Sequence, residues 1–167
     1  MKKKMIQEKG SFRNNLLLSL GIMVFFCVAG AVQAAQPPSS PPPRFQEAEG
    51  SNGSIIRDNT TGLEWQRCPY GKGWTGSGCS GRAWRGTWDD AVRVTAPGGF
   101  RVPTIDELKT LAPYDQGVFP GNYGFWSSSP HAYDTGDAWG LYFDYGGGAR
   151  NYYKGNYYQL RLVRSGH

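Results

Sequence analysis

Aromatic rings and glycines crowd the later part of this 167-residue chain, and that pairing limits the fold more than any other feature. All six tryptophans and all ten tyrosines fall between Trp65 and Tyr158, among many glycines and few aliphatic side chains. A core of that make-up has to be assembled from large flat rings with polar edges, not from layers of leucine. Glycine-rich turns let backbone segments pass close to one another. The stretch from about Gly53 to Ser165 offers roughly 110 residues, enough for one core and not for two domains. No internal repeat is visible.

The beginning of the chain is of another kind. Lys2, Lys3, Lys4, Lys9 and Arg13 form a basic head, an apolar run extends from Leu16 to Ala31, and Val32-Gln33-Ala34 supplies the small-x-small pattern of a signal peptidase site. Residues 1–34 therefore read as a signal peptide. The alternative is an uncleaved membrane anchor, since Leu16 to Ala35 is close to the ~20 residues that span a bilayer. Residues 35–52, with Gln36-Pro37-Pro38-Ser39-Ser40-Pro41-Pro42-Pro43, read as an extended Pro/Ser-rich spacer, and the domain is expected over residues 53–167. The expected destination is secreted, periplasmic or at the cell surface.

Five of the 18 basic residues and one of the 13 acidic ones lie before Gln36, which leaves 13 against 12 in the remainder. The high isoelectric point thus belongs to the leader. With only three lysines after Gln36, the basic footprint that nucleic acid requires is missing. Cys27 lies in the apolar run, and Cys68 and Cys79 remain as an even pair. In an oxidising compartment such a pair most simply forms a disulfide. A metal site there is disfavoured because neither histidine is near in sequence.

Two short helices are readable. Thr87 can cap one, with Asp90 three residues on and Trp88, Ala91, Val92 and Thr95 on one face, ending at Pro97-Gly98-Gly99. Thr104 and Glu107 open the second, whose buried stripe is Ile105, Leu108 and Leu111, with Pro113 as the stop. Ser54–Arg57 and Leu63–Arg67 flank a hairpin turn, and further strands are expected over Phe125–Ser128, Trp139–Tyr145 and Tyr157–Arg164. The fold class is α+β: two short helices and a mostly antiparallel twisted sheet with long glycine-rich loops.

The order of these pieces resembles a known family. Asp58–Cys68 (DNTTGLEWQRC), Thr87–Ala91 (TWDDA), Phe100–Leu111 (FRVPTIDELKTL), Phe125–Ser129 (FWSSS), Trp139–Gly146 (WGLYFDYG) and Leu160–Arg164 (LRLVR) follow one another as in the bacterial Lcl C-terminal domain family, named for a collagen-like adhesin. The resemblance implies a C-type-lectin-like fold related to formylglycine-generating enzymes, and binding of glycosaminoglycan or another surface polysaccharide. It departs in having Phe100-Arg101-Val102-Pro103 where the family has Trp-Arg-Leu-Pro, a conservative exchange. No collagen-like repeats precede the domain in this sequence, so avidity from a trimeric stalk does not carry over. The late cysteine pair that holds copper in formylglycine-generating enzymes has no counterpart, so oxidase chemistry does not carry over either.

Other chemistry reads weakly. Ser127, Ser128, Ser129, His131 and Asp134 are close in sequence, whereas triads converge in space, and no nucleophile elbow is present. Asp89/Asp90 and Asp106/Glu107 sit in helix first turns, where negative charge suits the exposed N–H groups. Asp134 and Asp137 could supply oxygens to calcium, but a polar turn accounts for them and lectin calcium signatures are missing. No enzyme activity, cofactor or metal is expected. Trp65, Trp88, Trp126 and Trp139 read as core. Tyr145, Tyr152, Tyr153, Tyr157 and Tyr158 crowd a stretch too glycine-rich to pack on itself. Tyrosine offers a stacking face and a hydroxyl at low entropic cost, and arginine captures sulfate or carboxylate with two bonds. The expected ligand site is therefore Tyr145, Arg150, Tyr152, Tyr153 and Lys154, facing a glycan or another cell-surface ligand. The competing expectation is a structural or assembly component that binds an envelope or appendage protein.

Overall fold

The computed structural model describes residues 43–121, 123–143 and 148–166. The expected signal peptide and residues 35–42 of the expected spacer lie outside the described residues. Eleven strands and two helices follow in order: β1 (Phe45–Glu47), β2 (Ile55–Asp58), β3 (Leu63–Gln66), β4 (Gly73–Trp74), β5 (Cys79–Ser80), α1 (Trp88–Ala91), β6 (Thr95–Ala96), β7 (Phe100–Arg101), α2 (Ile105–Lys109), β8 (Gly124–Pro130), β9 (Asp137–Tyr142), β10 (Ala149–Tyr153) and β11 (Val163–Ser165). They form a six-stranded sheet in the order β1-β2-β3-β11-β7-β6, a three-stranded sheet β10-β9-β8, and the small pair β4-β5. All ladders between strands are antiparallel. The class is α+β as expected. Among the described residues no helix is long and apolar enough to cross a membrane.

The expected hairpin is present, with Ile55 opposite Gln66 and Arg57 opposite Glu64. Its turn is held by buried Asp58, whose carboxylate accepts from the Thr60 N–H at 2.9 Å and from the Arg44 guanidinium. Burial alone would raise the Asp58 pKa; the bonds from Arg44 and Thr60 outweigh it and leave it lowered. The same pair anchors the segment before the hairpin. Arg44 brings in β1, which pairs with β2 from Phe45 opposite Asp58 to Glu47 opposite Ile56. The spacer expected over residues 35–52 is therefore shorter, because part of it satisfies the free edge of the hairpin. At the other end β11 inserts between β3 and β7, with Val163 opposite both Trp65 and Arg101.

Both helices are single turns. Thr87 caps α1, and Thr104 with Glu107 forms a complete capping box on α2. The first helix ends at Ala91, so Thr95, expected on its face, lies in β6 instead.

Two apolar clusters lie on opposite faces of β8 and β9. Phe125 and Leu141 join Ile56, Trp65, Leu108, Leu111, Phe119, Phe143 and Val163 on one side. Trp126 and Ala138 join Ala91, Phe100, Val102, Leu160 and Leu162 on the other. Residues 159–163 are all buried, because the segment leading into β11 runs through the interior rather than along a half-exposed sheet face. Of the strand expected over Tyr157–Arg164 only Val163 and Arg164 join a ladder, which continues to Ser165; before it the chain makes single bridges, Gly86 to Tyr158 and Phe125 to Gln159. Of the four tryptophans expected in the core, Trp65 and Trp126 are fully buried, while Trp88 and Trp139 are half-buried.

Arg161 is fully buried and has no carboxylate partner among the described residues. Its guanidinium donates to the Gln66 carbonyl (3.0 Å), the Arg67 carbonyl, the Pro120 carbonyl (2.9 Å) and the Tyr114 hydroxyl (3.2 Å). It also lies 5.2 Å from the ring centres of Phe119 and Phe125. This one side chain ties the segment around 114–121 to the end of β3.

Candidate ligand-binding face

The glycine-rich stretch expected to be a loop contains a strand. β10 pairs with β9 over five positions, from Ala149 opposite Leu141 to Tyr153 opposite Asp137. Strand alternation therefore sorts its residues: Arg150 and Tyr152 take one face, Ala149, Asn151 and Tyr153 the other. The Arg150 face continues across the sheet through Gly140 to Trp126, and the neighbouring row pairs Tyr142 with Gly124.

Two glycines make this face flat enough to carry rings. A Cβ on Gly124 would lie 2.7 Å from Tyr142 Cε2 and 3.1 Å from Tyr158 Cδ1. A Cβ on Gly140 would lie 2.9 Å from the Phe125 carbonyl oxygen and 3.2 Å from Tyr152 Cδ2. On this floor Tyr142, Tyr152 and Tyr158 pack on one another, with centroids 5.7 Å (142–152), 5.4 Å (142–158) and 5.1 Å (152–158) apart. Trp126 lies 4.8 Å from Tyr158 behind them, with its indole N–H donating to the Gly86 carbonyl. These tilted and edge-on arrangements suit the ring quadrupoles.

Beside the rings opens a cavity of about 350 Å³ lined by Tyr142, Gly148, Arg150 and Tyr152. Arg150 is exposed, and its guanidinium makes no hydrogen bond or ion pair among the described residues. The Tyr152 and Tyr158 hydroxyls are poor acids here. Burial, the Tyr142 hydrogen bond and the charges that Tyr142 and Tyr152 would carry push Tyr158 up to about 12, with Asn156 opposing. Burial and Tyr142 raise Tyr152 as well, against the pull of Arg150. The face thus presents the Tyr152 and Tyr158 hydroxyls beside a guanidinium that has no partner among the described residues.

Of the five expected site residues, Arg150 and Tyr152 come together here. Tyr153 points to the opposite face, 66% exposed, and its ring curls over Gly155. Lys154 is committed elsewhere: its ammonium donates to the Thr135 carbonyl at 2.7 Å and sits 4.4 Å over the Trp88 ring. Grouping by closeness in sequence had set Tyr153 and Lys154 beside Arg150, but the pleat turns Tyr153 away and the turn after β10 carries Lys154 to α1. Tyr145 lies outside the described residues. Tyr142 and Tyr158 complete the cluster and were not among the expected residues; the glycine two positions before Tyr142 was the available sign of a ring lying flat on a strand.

A family profile described as the Lcl C-terminal domain matches residues 54–164. The chain belongs to this family. No curated protein and no solved structure matches it. The matched part of this Lcl C-terminal domain contains every described residue of the ring face, whereas Arg44 and β1 lie just before it.

The domain's other polar clusters are spent on structure. Buried Ser127 donates to the Trp139 carbonyl, Ser128 donates to the Pro103 carbonyl, and Ser129 accepts from the Ile105 N–H. His131 Nδ1 accepts from the Asp134 N–H. Asp134 accepts from the Gly136 N–H in a tight turn, and Asp137 accepts from Asn151. Asp90 bonds its own cap Thr87, Asp106 pairs with Lys109, and Glu107 binds Arg101 through both oxygens. Among the described residues no group of three or more His, Cys, Asp or Glu side chains is placed to hold a metal. Cys68 and Cys79 form the expected disulfide; β4 lies within the segment it closes, and β5 begins at Cys79.

Proposed function

We propose that the chain is an exported, non-catalytic binding module of adhesin type, recognising an acidic or sulfated glycan at the cell surface through the ring face of β8, β9 and β10. The observation that carries this reading is a guanidinium with no hydrogen-bond or ion-pair partner among the described residues, lining a cavity together with two tyrosines. Arg150 would bind a sulfate or carboxylate through paired N–H donors, and Tyr142 and Tyr152 would offer ring faces and hydroxyls to the sugar. Membership of the Lcl C-terminal domain family supports an adhesin-like role. The same reading takes the fold as C-type-lectin-like and related to formylglycine-generating enzymes. The side-by-side placement of β3 and β11, near the two ends of the domain, supports it.

The test is retention of the oxidised protein on immobilised heparin and on a broad glycan array in low salt. A charge-assisted bond contributes about 1.5–3 kcal/mol, so Arg150→Ala should weaken binding by roughly ten- to a hundredfold. Tyr152→Ala should also weaken it, and Lys154→Ala should not. Absence of wild-type retention on every glycan overturns the reading. A second reading, that the domain assembles with an envelope or appendage protein, is favoured by β10 being an edge strand whose outer side could accept a partner strand. Stoichiometric co-purification of a protein, with no glycan retained, would select it.

A further inference from the structure

We infer that two copies of this chain pair through the outer edge of β10, in one antiparallel register centred on Asn151. The two edges of the three-stranded sheet are finished differently. At β8 other parts of the chain cover the edge: the Trp126 N–H donates to the Gln159 carbonyl, the Gln159 N–H to the Gly124 carbonyl and the Ser128 N–H to the Pro103 carbonyl. The ladder of β8 is also irregular between Trp126 and Pro130. β10 has neither protection. Its register with β9 is unbroken over five positions and it contains no proline. Among the described residues no other strand or bridge lies on its outer side. A regular open edge is a template for another strand, and chains that must stay single blunt it with prolines, bulges or lysines.

The sequence of the strand selects a second copy as its occupant. Residues directly opposite one another in an antiparallel pair share a face. A two-fold axis normal to the sheet must therefore pass through a residue of β10, not between two. An axis through Arg150 sets that guanidinium against its own copy, and an axis through Tyr152 sets Arg150 against Lys154 of the second copy. Like charges directly opposite are destabilising. An axis through Asn151 avoids both and pairs all five positions of the strand. Arg150 then meets Tyr152 of the second copy, a cation beside a ring. Ala149, the smallest side chain of the strand, meets Tyr153, which is 66% exposed in the single chain. Asn151 meets its own copy.

The pairing joins two ring faces into one. Arg150 and Tyr152 line the cavity of each copy, so the two cavities come to lie against one another across the axis. The two Arg150 side chains fall on diagonal positions about 7–8 Å apart. That is close to the screening length of physiological salt, so their repulsion is modest, while one extended polyanion could span both. The contact is short, which makes the association weak and dependent on concentration. A two-fold contact uses the same edge on both copies and therefore closes at the dimer. The pairing rests on neither reading of the function: it requires no glycan and no foreign protein.

Sedimentation of the oxidised protein, without glycan, should show its mass rising with concentration to twice the single chain's and no further. Asn151→Lys sets two ammonium groups opposite one another and should weaken dimerisation at least tenfold with the melting temperature retained. Cysteine cross-linking reads the register. Opposed Cα atoms lie about 4.5–5.5 Å apart, within the roughly 4.4–6.8 Å that a disulfide spans, so Asn151→Cys should form a covalent dimer under mild oxidation. In Tyr153→Cys the two sulfurs would be displaced by four residues, roughly 14 Å along the strands, and should cross-link at least tenfold more slowly. A wild type that stays monomeric at every concentration overturns the proposal and leaves the edge to a foreign strand. Assembly beyond the dimer, dimerisation unchanged in Asn151→Lys, or equal cross-linking of the two cysteine variants also overturns it. Because no glycan enters these measurements, their failure leaves the glycan reading standing, and loss of glycan retention leaves this pairing standing.

Discussion

The glycine floor of the ring face can be tested by adding a single methyl group. In Gly140→Ala the new Cβ would sit 2.9 Å from the Phe125 carbonyl oxygen, 3.2 Å from Tyr152 Cδ2 and 3.5 Å from Trp126 Cε3. The first contact is with backbone of the paired strand, so relief requires β8 and β9 to move apart. Such overpacking costs about 1–3 kcal/mol. Gly140 is not in the left-handed region, so alanine meets no backbone strain and returns about 0.4–1 kcal/mol by restricting the unfolded chain. The net loss is about 1–2 kcal/mol, which lowers the melting temperature of a domain of this size by roughly 5–10 °C. Gly124→Ala is the informative contrast. Its contacts are with the outer ring atoms of Tyr142 and the ring of Tyr158, which can swing aside. It should cost less stability while changing the near-ultraviolet circular dichroism of the cluster and weakening glycan retention. Gly78→Ala, with nothing within 4 Å of its Cβ, is the control. Thermal melts followed by near-ultraviolet circular dichroism make the comparison. If Gly140→Ala melts with the control, or Gly124→Ala costs more than Gly140→Ala, the account of the floor is wrong.

Three further outcomes are expected. Cys68→Ser opens a bridge between residues 11 apart in sequence, a loop whose closure contributes about 3 kcal/mol in the entropic model; equal melting of oxidised and reduced wild type would refute it. Arg161→Lys keeps the charge but cannot reach the four acceptors that the fork spans, and should lose about 2–3 kcal/mol in urea denaturation; an unchanged midpoint would show the fork to be dispensable. Tyr158, pushed up to about 12, should titrate well after an unfolded tyrosine at about 10. Below pH ~10 both states hold the proton and this contribution to stability is complete; as pH rises toward 12 only the unfolded chain releases it, so stability falls across that window. Ultraviolet titration showing every tyrosine ionising together near 10, with the fold intact, would contradict the buried cluster.

What the sequence decided by itself is local. Thr104 and Glu107 are three residues apart, so their reciprocal bonds form within one turn whatever surrounds them. The Asp58–Gly62 turn sets the β2–β3 register, and Cys68 and Cys79 are near enough in sequence for one bridge to close a short loop. The candidate site was legible in part: Arg150 and Tyr152 were visible as a cation and a ring in a stretch rich in both. What they face was not. Whether Tyr153 stands with them or against them depends on β10 being a strand, and a strand with glycines before and after it takes its stability from the neighbour it pairs with. Tyr142 and Tyr158 reach Tyr152 only because β9 lies alongside β10 and the chain after Asn156 returns to Gly86 and Phe125. The commitment of Lys154 to Trp88 and Thr135, and the burial of Arg161 under carbonyls from residues 66, 67 and 120, likewise arise from contacts tens of residues apart. Spacing along a chain specifies turns and caps because those bonds close over three or four residues; it cannot specify which side of a sheet meets which ring, because that is settled by strand pairing across the whole domain.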